Sequence, residues 1–458
     1  MSAASKDLLL DKVRGGQELH TKEQLKLVWL LGLPAILAQL SQIVMEYIDA
    51  GMVGHLGSTQ TASIGIVATS TWIFAGFCAA NSSGFSVQVA QLIGSRRYAQ
   101  ARAVMRKGFF SVLSASVLLA LAGLAISPFL PRWLGAEEAI CADASAYFAI
   151  FCAFLPVLQL AITSCSMLQA TGNMKIPSMV EIAACVLDVA FNYLFIYIFG
   201  LGVKGAALGT GAATLLTHLF ALWYLFCKCP ELNILQDSGS WIPDRQSLRT
   251  ALTISGPMWL QNIIMRGAYI MSTIIVAPLG TVAIAANSFA ITAESFCYMP
   301  GYGLSEAATS LVGQSIGARR KKLAKQFAFL TMGMASVMMT VLGILMYIFA
   351  PQMMGVLTND TEVIALGVKV LRIEAFAETL YAVSIIGHGS CLGAGDTLVP
   401  MIYNFVSMWV VRIGLALVLT PRFGLAGYWI AMCIELNVRG IIFFFRVKGE
   451  RWMKKCFA

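Results

Sequence analysis

The chain has 458 residues, of which 58% are hydrophobic and only 12% are charged, and its formal net charge is +9. Soluble globular domains usually carry about twice that share of charged residues. The core of a water-soluble domain also stops growing near about 250–300 residues. The composition therefore excludes an ordinary soluble protein and indicates that lipid is the solvent.

Long apolar runs recur along almost the whole chain, and each is close to the roughly 20 residues that cross a bilayer as a helix. They predict an all-α integral membrane protein with twelve transmembrane helices. The first 26 residues are polar and the first apolar run is too long for the core of a signal peptide, so we expect span 1 to remain as an anchor. The predicted spans cover residues 27–52, 59–86, 108–128, 142–169, 177–200, 204–227, 250–278, 283–311, 327–350, 363–391, 399–420 and 424–446.

Basic residues are distributed unevenly between the two ends of these spans. With a cytoplasmic amino terminus, most of the 32 Lys and Arg residues lie in cytoplasmic segments, and the outer loops contain only Arg132, Lys204 and Arg422. This is the positive-inside bias that sets the orientation of membrane proteins. It predicts a multi-pass protein of the plasma (inner) membrane with both termini in the cytoplasm, and it explains the basic charge without a nucleic-acid partner.

The chain contains an internal repeat at a constant offset of 223 residues. Pro34 corresponds to Pro257, and VAQLIGSRR at 89–97 corresponds to VGQSIGARR at 312–320. Each half holds six predicted spans, so the halves are parallel repeats, and such transporters bind substrate between their halves. We predict an amino-terminal cytoplasmic segment (1–26), an N-lobe of helices 1–6 (27–227), a cytoplasmic linker (228–249), a C-lobe of helices 7–12 (250–446) and a basic cytoplasmic tail (447–458).

Span 1 carries a polar stripe. Gln39, Gln42, Glu46 and Asp49 are spaced three, four and three residues apart, which places them on one face of a helix. Ionisable groups at bilayer depth are costly and are functional hypotheses by default. We predict that Glu46 and Asp49 exchange a proton or Na+; the alternative for Asp49 is a cap at the outer end of the helix.

Span 5 carries Asp188 and Asn192 one turn apart, well inside an apolar run, and Thr210 of span 6 adds a hydroxyl group. Residues four apart share a face of a helix. We predict that these three residues belong to the same cation or proton site, and the alternative is a structural polar clamp between helices.

The carboxyl half has a different set of charges. Arg266 is expected to pair with Glu378 or Glu374, because buried charges need partners, and an anchoring ion pair and a substrate site are both compatible with this set. The predicted substrate-cleft residues are Gln42, Asn262, Arg266, Tyr269, Glu294, Glu374, Glu378 and Tyr381. The remaining charged residues lie nearer to span ends, and most are expected to be interfacial: Glu306, Lys369, Arg372, Arg412, Glu435 and Arg439.

Motifs for cofactor chemistry are weak. GLGVKG at 200–205 matches GxGxxG but follows a predicted transmembrane helix instead of a strand, so we interpret it as an outer turn. No Walker A motif and no clustered Cys/His spacing occurs in the sequence. His218 and His388 are isolated, and packing or hydrogen bonding between helices is favoured over metal binding. We expect no metal, no cofactor other than a coupling ion, and no enzymatic activity.

Several short motifs together resemble the multidrug and toxic compound extrusion (MATE) family. DAGMVGHLG at 49–57 is similar to the family's span-1 aspartate with its following valine-glycine and leucine-glycine. VGQSIGA at 312–318, LGAGDT at 392–397 and GAALGT at 205–210 resemble segments after span 8, after span 10 and at the start of span 6. The resemblance extends over about residues 20–450.

This resemblance implies secondary active efflux of organic, often cationic, compounds in exchange for H+ or Na+. Asp49 matches the family's coupling aspartate, and Thr210 matches a hydroxyl that some members place near the ion site. The chain departs from the family where Asp188 precedes Asn192, since the family often places asparagine first. It also has Arg266 in span 7, where one branch of the family has an acidic residue. These departures favour coupling in the N-lobe.

The prediction is therefore an efflux antiporter that works by alternating access and binds small organic, cationic substrates and membrane lipid. A lipid-linked precursor flippase of the same broader superfamily is the alternative, but it would need a strongly cationic cleft for pyrophosphate. An intramembrane enzyme would need a catalytic constellation, and none is visible in the sequence. The exported compound, the choice between H+ and Na+ and the oligomeric state are left open, and a monomer is compatible with the sequence.

Overall fold

The computed structural model describes residues 3–453, and this part of the chain is almost entirely helical. Residues 454–458 of the predicted tail and residues 1–2 lie outside the described range. Short π-helical stretches follow three helices, at Leu194–Ile198, Tyr224–Lys228 and Val406–Ile413. The α-helices in chain order are α1 (Ala3–Arg14), α2 (Thr21–Gly54), α3 (Ser58–Gly94), α4 (Tyr98–Ile126), α5 (Leu130–Trp133), α6 (Glu138–Ala170), α7 (Lys175–Tyr193), α8 (Gly202–Trp223), α9 (Arg245–Val276), α10 (Thr281–Gly317), α11 (Lys321–Leu357), α12 (Thr361–Glu374), α13 (Glu378–Gly393), α14 (Leu398–Phe405), α15 (Gly414–Phe423) and α16 (Leu425–Lys448).

Within residues 3–453, ten helices are long and apolar enough to cross a membrane, and they coincide with ten of the twelve predicted spans. The all-α membrane fold is therefore confirmed. The predicted span at 363–391 is instead two helices: α12 ends at Glu374, and α13 begins at Glu378. The predicted span at 424–446 corresponds to α16, whose apolar stretch is interrupted by Glu435 and Arg439.

The internal repeat is also visible in the backbone. Arg96 and Arg319, which are 223 residues apart, adopt the left-handed φ values of 60° and 59° just after α3 and α10. In each repeat the amide of the next residue, Arg97 or Arg320, bonds to a helix carbonyl five residues earlier. This arrangement ends a helix through one left-handed residue. The two halves therefore share their turn geometry as well as their sequence pattern.

The described chain forms two compact units. Unit 1 comprises residues 3–40 and 260–453, and unit 2 comprises residues 41–259. Both boundaries fall inside helices, within α2 and α9, and the linker at 228–249 belongs to unit 2. The predicted lobes at 27–227 and 250–446 follow the sequence repeat instead, and their boundaries stay a prediction.

Unit 1 is held together by close helix contacts at small residues. A Cβ on Gly393 of α13 would overlap the backbone of Thr309 in α10, and one on Gly440 of α16 would overlap the carbonyl of Leu380. Lipid supplies no hydrophobic force between helices, so close packing through small residues takes that role. The amino-terminal helix α1 also belongs to this unit, because Arg320 donates a hydrogen bond to the carbonyl of Lys12 at its carboxyl end, 3.0 Å away.

Unit 2 contains the linker, which is fastened to α4 by ion pairs. Arg102 Nε and Arg106 Nη1 lie 2.7 and 2.6 Å from the two carboxyl oxygens of Asp237. Lys107 Nζ lies 2.6 Å from Asp244 Oδ1. The hydrogen bonds from Arg106 and then Arg102 hold the pKa of Asp237 below its ordinary value. The linker is thus attached to one end of the transmembrane helix α4.

Candidate functional site

The centre of the candidate site in unit 2 is the amide of Asn192. Its nitrogen donates one hydrogen bond of 3.0 Å to Asp49 Oδ1 of α2 and another of 3.1 Å to Asp188 Oδ2 of α7. Asp188 and Asn192 are each only 2% exposed. The structure therefore joins three predicted coupling residues, from two helices that are far apart in the sequence, in one buried cluster.

This cluster has unsatisfied oxygen atoms. Among the described residues, Asp188 Oδ1 and Asn192 Oδ1 are buried and have no hydrogen-bond partner. Thr210, an exposed residue of α8, lies beside the Asp188 carboxyl group. Two carboxylates that share one amide repel each other when both are ionised. A proton or a small hard cation at this position would relieve that repulsion and satisfy the open oxygens.

The close approach of α8 to α7 fixes the position of Asn192. Gly209 lies so near that any Cβ on it would overlap Asn192 Oδ1 and crowd the Asn192 backbone. Sequence analysis did not single out Gly209, although it lies inside the GAALGT motif at 205–210. Its place beside Thr210 in that motif is the feature that could have identified it.

Glu46 and Gln42 lie on the exposed face of α2 in unit 2. Glu46 interacts with the Gln42 side chain and with the charge of Asp49. The predicted stripe on span 1 is therefore present, and within it Asp49 is the residue that accepts a hydrogen bond from Asn192. Their roles in coupling and in substrate binding stay predictions.

Unit 1 contains a second group of acidic residues. Glu374 and Glu378 flank the turn between α12 and α13 and are 0% and 1% exposed, and Glu294 of α10 is also buried. The charges of Glu294 and Glu378 both act on Glu374. All four carboxyl oxygens of Glu374 and Glu378 lack a hydrogen-bond partner among the described residues. Arg266, the expected partner, therefore makes no hydrogen bond to either of these two glutamates.

Two arginines of unit 1 pair with a different glutamate. Arg412 Nη2 and Arg439 Nη2 lie 2.6 and 2.7 Å from the carboxylate of Glu435, which is 0% exposed. Ser407 donates a further hydrogen bond of 2.5 Å to the same carboxylate. The expectation that most of the charged residues near span ends are interfacial fails for Arg412, Glu435 and Arg439, because helix packing encloses them together. Position along an apolar run was a poor guide to their burial.

Aromatic residues lie against this charged network. The Tyr381 ring lies 5.7 Å from that of Tyr298, and the Arg439 guanidinium lies 6.0 Å from the Tyr381 ring. A cation at such a distance from an aromatic face is attracted to it. Tyr298 was not among the predicted site residues, and its helical spacing from Glu294 in α10 is the feature that could have revealed it.

The remaining predicted cleft residues lie on α9. Tyr269 is exposed, and Asn262 and Arg266 are half-buried. Gln261, next to them, makes a hydrogen bond of 3.1 Å with Nε2 of His388 in α13. The expected hydrogen bond between helices at His388 is thus observed, whereas a substrate role for the α9 residues stays a prediction.

Comparison with known proteins gives consistent matches over nearly the whole chain. The family model MatE matches residues 34–194 and 257–418, and these segments begin at the same 223-residue offset as the internal repeat. The multidrug resistance protein MdtK of Yersinia pestis (strain Pestoides F) is 26% identical over 439 residues, covering 93% of this chain and 94% of that protein. The probable multidrug resistance protein NorM of Mannheimia succiniciproducens is 25% identical with the same coverage.

A solved structure has the same fold. The outward-facing conformation of a multidrug resistance MATE family transporter of the MOP superfamily superimposes with a TM-score of 0.88. The match has 22% sequence identity and covers 93% of this chain and 95% of that one. At this level of identity the comparison establishes the architecture of the helices.

Proposed function

Since this chain belongs to the MatE family, whose model matches more than half of its residues, we propose that it is a secondary active multidrug efflux antiporter. It is a multi-pass membrane protein and a transporter rather than an enzyme. The proposed cargo is a class of small organic cations, and the proposed counter-ion is H+ or Na+. The proposed location is the plasma (inner) membrane, with both termini in the cytoplasm.

The observation that carries this proposal is the hydrogen bonding of one buried amide, Asn192, to two carboxylates, Asp49 and Asp188. An isolated anion in a membrane interior is strongly unfavourable, and two together are more so. A positive charge near the two carboxylates would therefore stabilise them. A proton or Na+ from the medium can supply it and can leave again, which is what a coupling site requires.

Coupling needs a difference in ion affinity between two conformations, because a ligand that binds both equally shifts nothing. Asp49 and Asp188 come from different helices, α2 and α7, so a small movement of one helix changes the separation of the carboxylates. The unpartnered Asp188 Oδ1 and Asn192 Oδ1 supply further ligand atoms when the helices are close. In the proposed cycle, the ion binds when α2 and α7 are close together and is released when the two carboxylates separate.

A second coupling position in unit 1 is supported by Glu374 and Glu378. Their four buried carboxyl oxygens have no hydrogen-bond partner among residues 3–453, and buried unpaired anions are unfavourable. Both residues border a break in a transmembrane helix, and broken helices in transporters are found where ions and substrates bind. We include them as a proton-carrying pair that acts in addition to the Asn192 cluster.

The test is transport in liposomes that contain the purified full-length chain. A cationic dye is followed under an imposed pH gradient or an imposed Na+ gradient. Asp49→Asn and Asp188→Asn remove one carboxylate each, and Glu374→Gln with Glu378→Gln tests the second position. Glu138→Gln is the matched control, because the Glu138 side chain is 92% exposed.

We expect gradient-driven transport in the parent chain and in Glu138→Gln, and loss of it in Asp49→Asn and Asp188→Asn. The gradient that drives transport identifies the ion. Undiminished transport in both aspartate variants would reject the Asn192 cluster as the coupling site. Folded protein that moves no dye under either gradient would reject the antiporter and favour the flippase alternative.

A further inference from the structure

Three metal-binding side chains of unit 2 meet at a place that the proposed transport cycle does not use. They are Cys165 of α6, Glu181 of α7 and His218 of α8, and their ligand atoms all lie within 4.8 Å of one another. Cys165 and His218 are buried, and the Glu181 side chain is 46% exposed. The residues are far apart in the sequence and come together only because the three helices pack side by side.

The hydrogen bonds of His218 determine which ring nitrogen faces the cluster. Nδ1 lies 2.9 Å from the carbonyl oxygen of Thr214, which can only accept a hydrogen bond. Nδ1 must therefore carry the hydrogen, and Nε2 of a neutral ring then has a lone pair. Metal-binding histidines are commonly oriented in this way, with the other ring nitrogen donating to a backbone carbonyl.

The lone pair of Nε2 is directed toward another acceptor. Glu181 Oε1 lies 3.5 Å from His218 Nε2, and a carboxylate oxygen cannot donate a hydrogen bond to a neutral ring. A proton carried by His218 or by the carboxyl group of Glu181 can join the two groups, and so can a bound cation between them. The thiol group of Cys165 beside them adds a third ligand atom to the cluster, which favours the cation.

The spacing of the ligands fits a tetrahedral ion. With metal–nitrogen and metal–oxygen bonds of about 2.0–2.1 Å, two ligands of a tetrahedral Zn2+ site are about 3.4 Å apart, which matches the observed distance between Nε2 and Oε1. A thiolate, an imidazole and a carboxylate are all ligands of Zn2+. One thiolate and one carboxylate also balance the charge of a divalent ion.

From this geometry we propose that Cys165, Glu181 and His218 form a binding site for Zn2+ or a similar divalent transition-metal ion. The partly exposed Glu181 side chain leaves room for a fourth ligand. A bound ion would connect α6, α7 and α8 in unit 2. Glu181 precedes Asp188 by seven residues on α7, about 10 Å along the helix axis, so this site is separate from the Asn192 cluster and does not depend on the proposed transport function.

The experiment is metal binding by the purified full-length chain in detergent, after treatment with a chelator. Zn2+ is titrated to determine stoichiometry and affinity, and Co2+ is used as a spectroscopic probe. Tetrahedral Co2+ gives visible absorption bands, and a near-ultraviolet charge-transfer band appears only when a thiolate is a ligand. The variants are Cys165→Ser, His218→Gln and Glu181→Gln. The matched control is Cys152→Ser, which changes another buried cysteine of α6.

We expect one Zn2+ per parent chain and a thiolate band with Co2+. We expect that band to disappear in Cys165→Ser, and the affinity to fall by at least about ten-fold in each of the three variants, as in other metal sites. Cys152→Ser should bind like the parent. Because Glu181 is partly exposed, Glu181→Gln is the variant least able to disturb folding. The site is rejected if the parent binds no metal, or if all three variants bind as tightly as Cys152→Ser.

Discussion

Gly209 approaches Asn192 so closely that a Cβ added to the glycine would overlap the side-chain oxygen of the asparagine. This contact between α8 and α7 places the Asn192 amide where it bonds to both Asp49 and Asp188. The geometry of the proposed ion site thus depends on a residue that has no side chain of its own.

We predict that Gly209→Ala disrupts coupling by displacing Asn192. Dye transport under the driving gradient should fall at least about ten-fold, because a shift of about 1 Å in a positioned group can have an effect of this size or larger. The control is Gly256→Ala in the same unit, where an added Cβ meets nothing within 4 Å. Equal transport by the two variants would show that the Gly209 contact is not required.

Removal of the charge of Glu435 should destabilise unit 1. In Glu435→Gln, the buried Arg412 and Arg439 keep their charges without the carboxylate that lies 2.6 and 2.7 Å from them. Breaking a buried ion pair on one side usually lowers the free energy of unfolding by about 3–5 kcal/mol. The measurement is denaturant unfolding in mixed micelles. Glu138→Gln is the control, because its pair with Arg132 is highly exposed and such pairs contribute about 0–1 kcal/mol.

The attachment of the linker to α4 should depend on pH. Hydrogen bonds from Arg106 and Arg102 lower the pKa of Asp237, so their contribution to stability is fully present above the ordinary value of 3.8. It is lost as the pH falls below that value through the lowered folded-state pKa. Asp237→Asn should therefore be less stable than the parent at neutral pH, and the difference should shrink below about pH 4.

The measurement for the linker is thermal unfolding in detergent at a series of pH values. Asp7→Asn serves as the control, because the Asp7 side chain is 66% exposed, and it should track the parent at every pH. A stability difference between Asp237→Asn and the parent that persists unchanged into acid would contradict the assigned role of the carboxylate.

The left-handed turn at Arg319 should be improved by glycine. A non-glycine residue at φ 59° is disfavoured by about 1–2 kcal/mol, whereas glycine adopts this conformation freely. Glycine also increases the entropy of the unfolded chain, which offsets about 0.4–1 kcal/mol of the gain. We expect Arg319→Gly to raise the free energy of unfolding by up to about 1 kcal/mol.

The neighbouring arginine provides the matched comparison. Arg320 has a φ of −101°, and its side chain donates to the carbonyls of Lys12 and Val13 at the end of α1. Arg320→Gly should therefore lower the free energy of unfolding, in the opposite direction to Arg319→Gly. If both variants change stability in the same direction, backbone strain at Arg319 does not explain the effect.

Part of the site could be predicted from the sequence because an apolar background makes polar residues conspicuous. Asp49, Asp188 and Asn192 were each identified in this way, and the structure brings them together. The same reasoning failed for Arg412 and Glu435, since the position of a residue along an apolar run does not reveal whether its side chain faces a neighbouring helix. A partner more than twenty residues away cannot be identified by helical spacing.

The sequence by itself determined that this is an all-helical membrane protein with an internal repeat, and it located the ten helices that match predicted spans. These features could be predicted because composition and hydropathy are properties of short stretches of the chain. Only the tertiary structure decided which polar side chains meet. The rotation and register of packed helices placed Asn192 between two carboxylates and Glu435 between two arginines. They also gathered Cys165, Glu181 and His218 from three helices, since contacts between helices depend on packing and not on proximity in sequence.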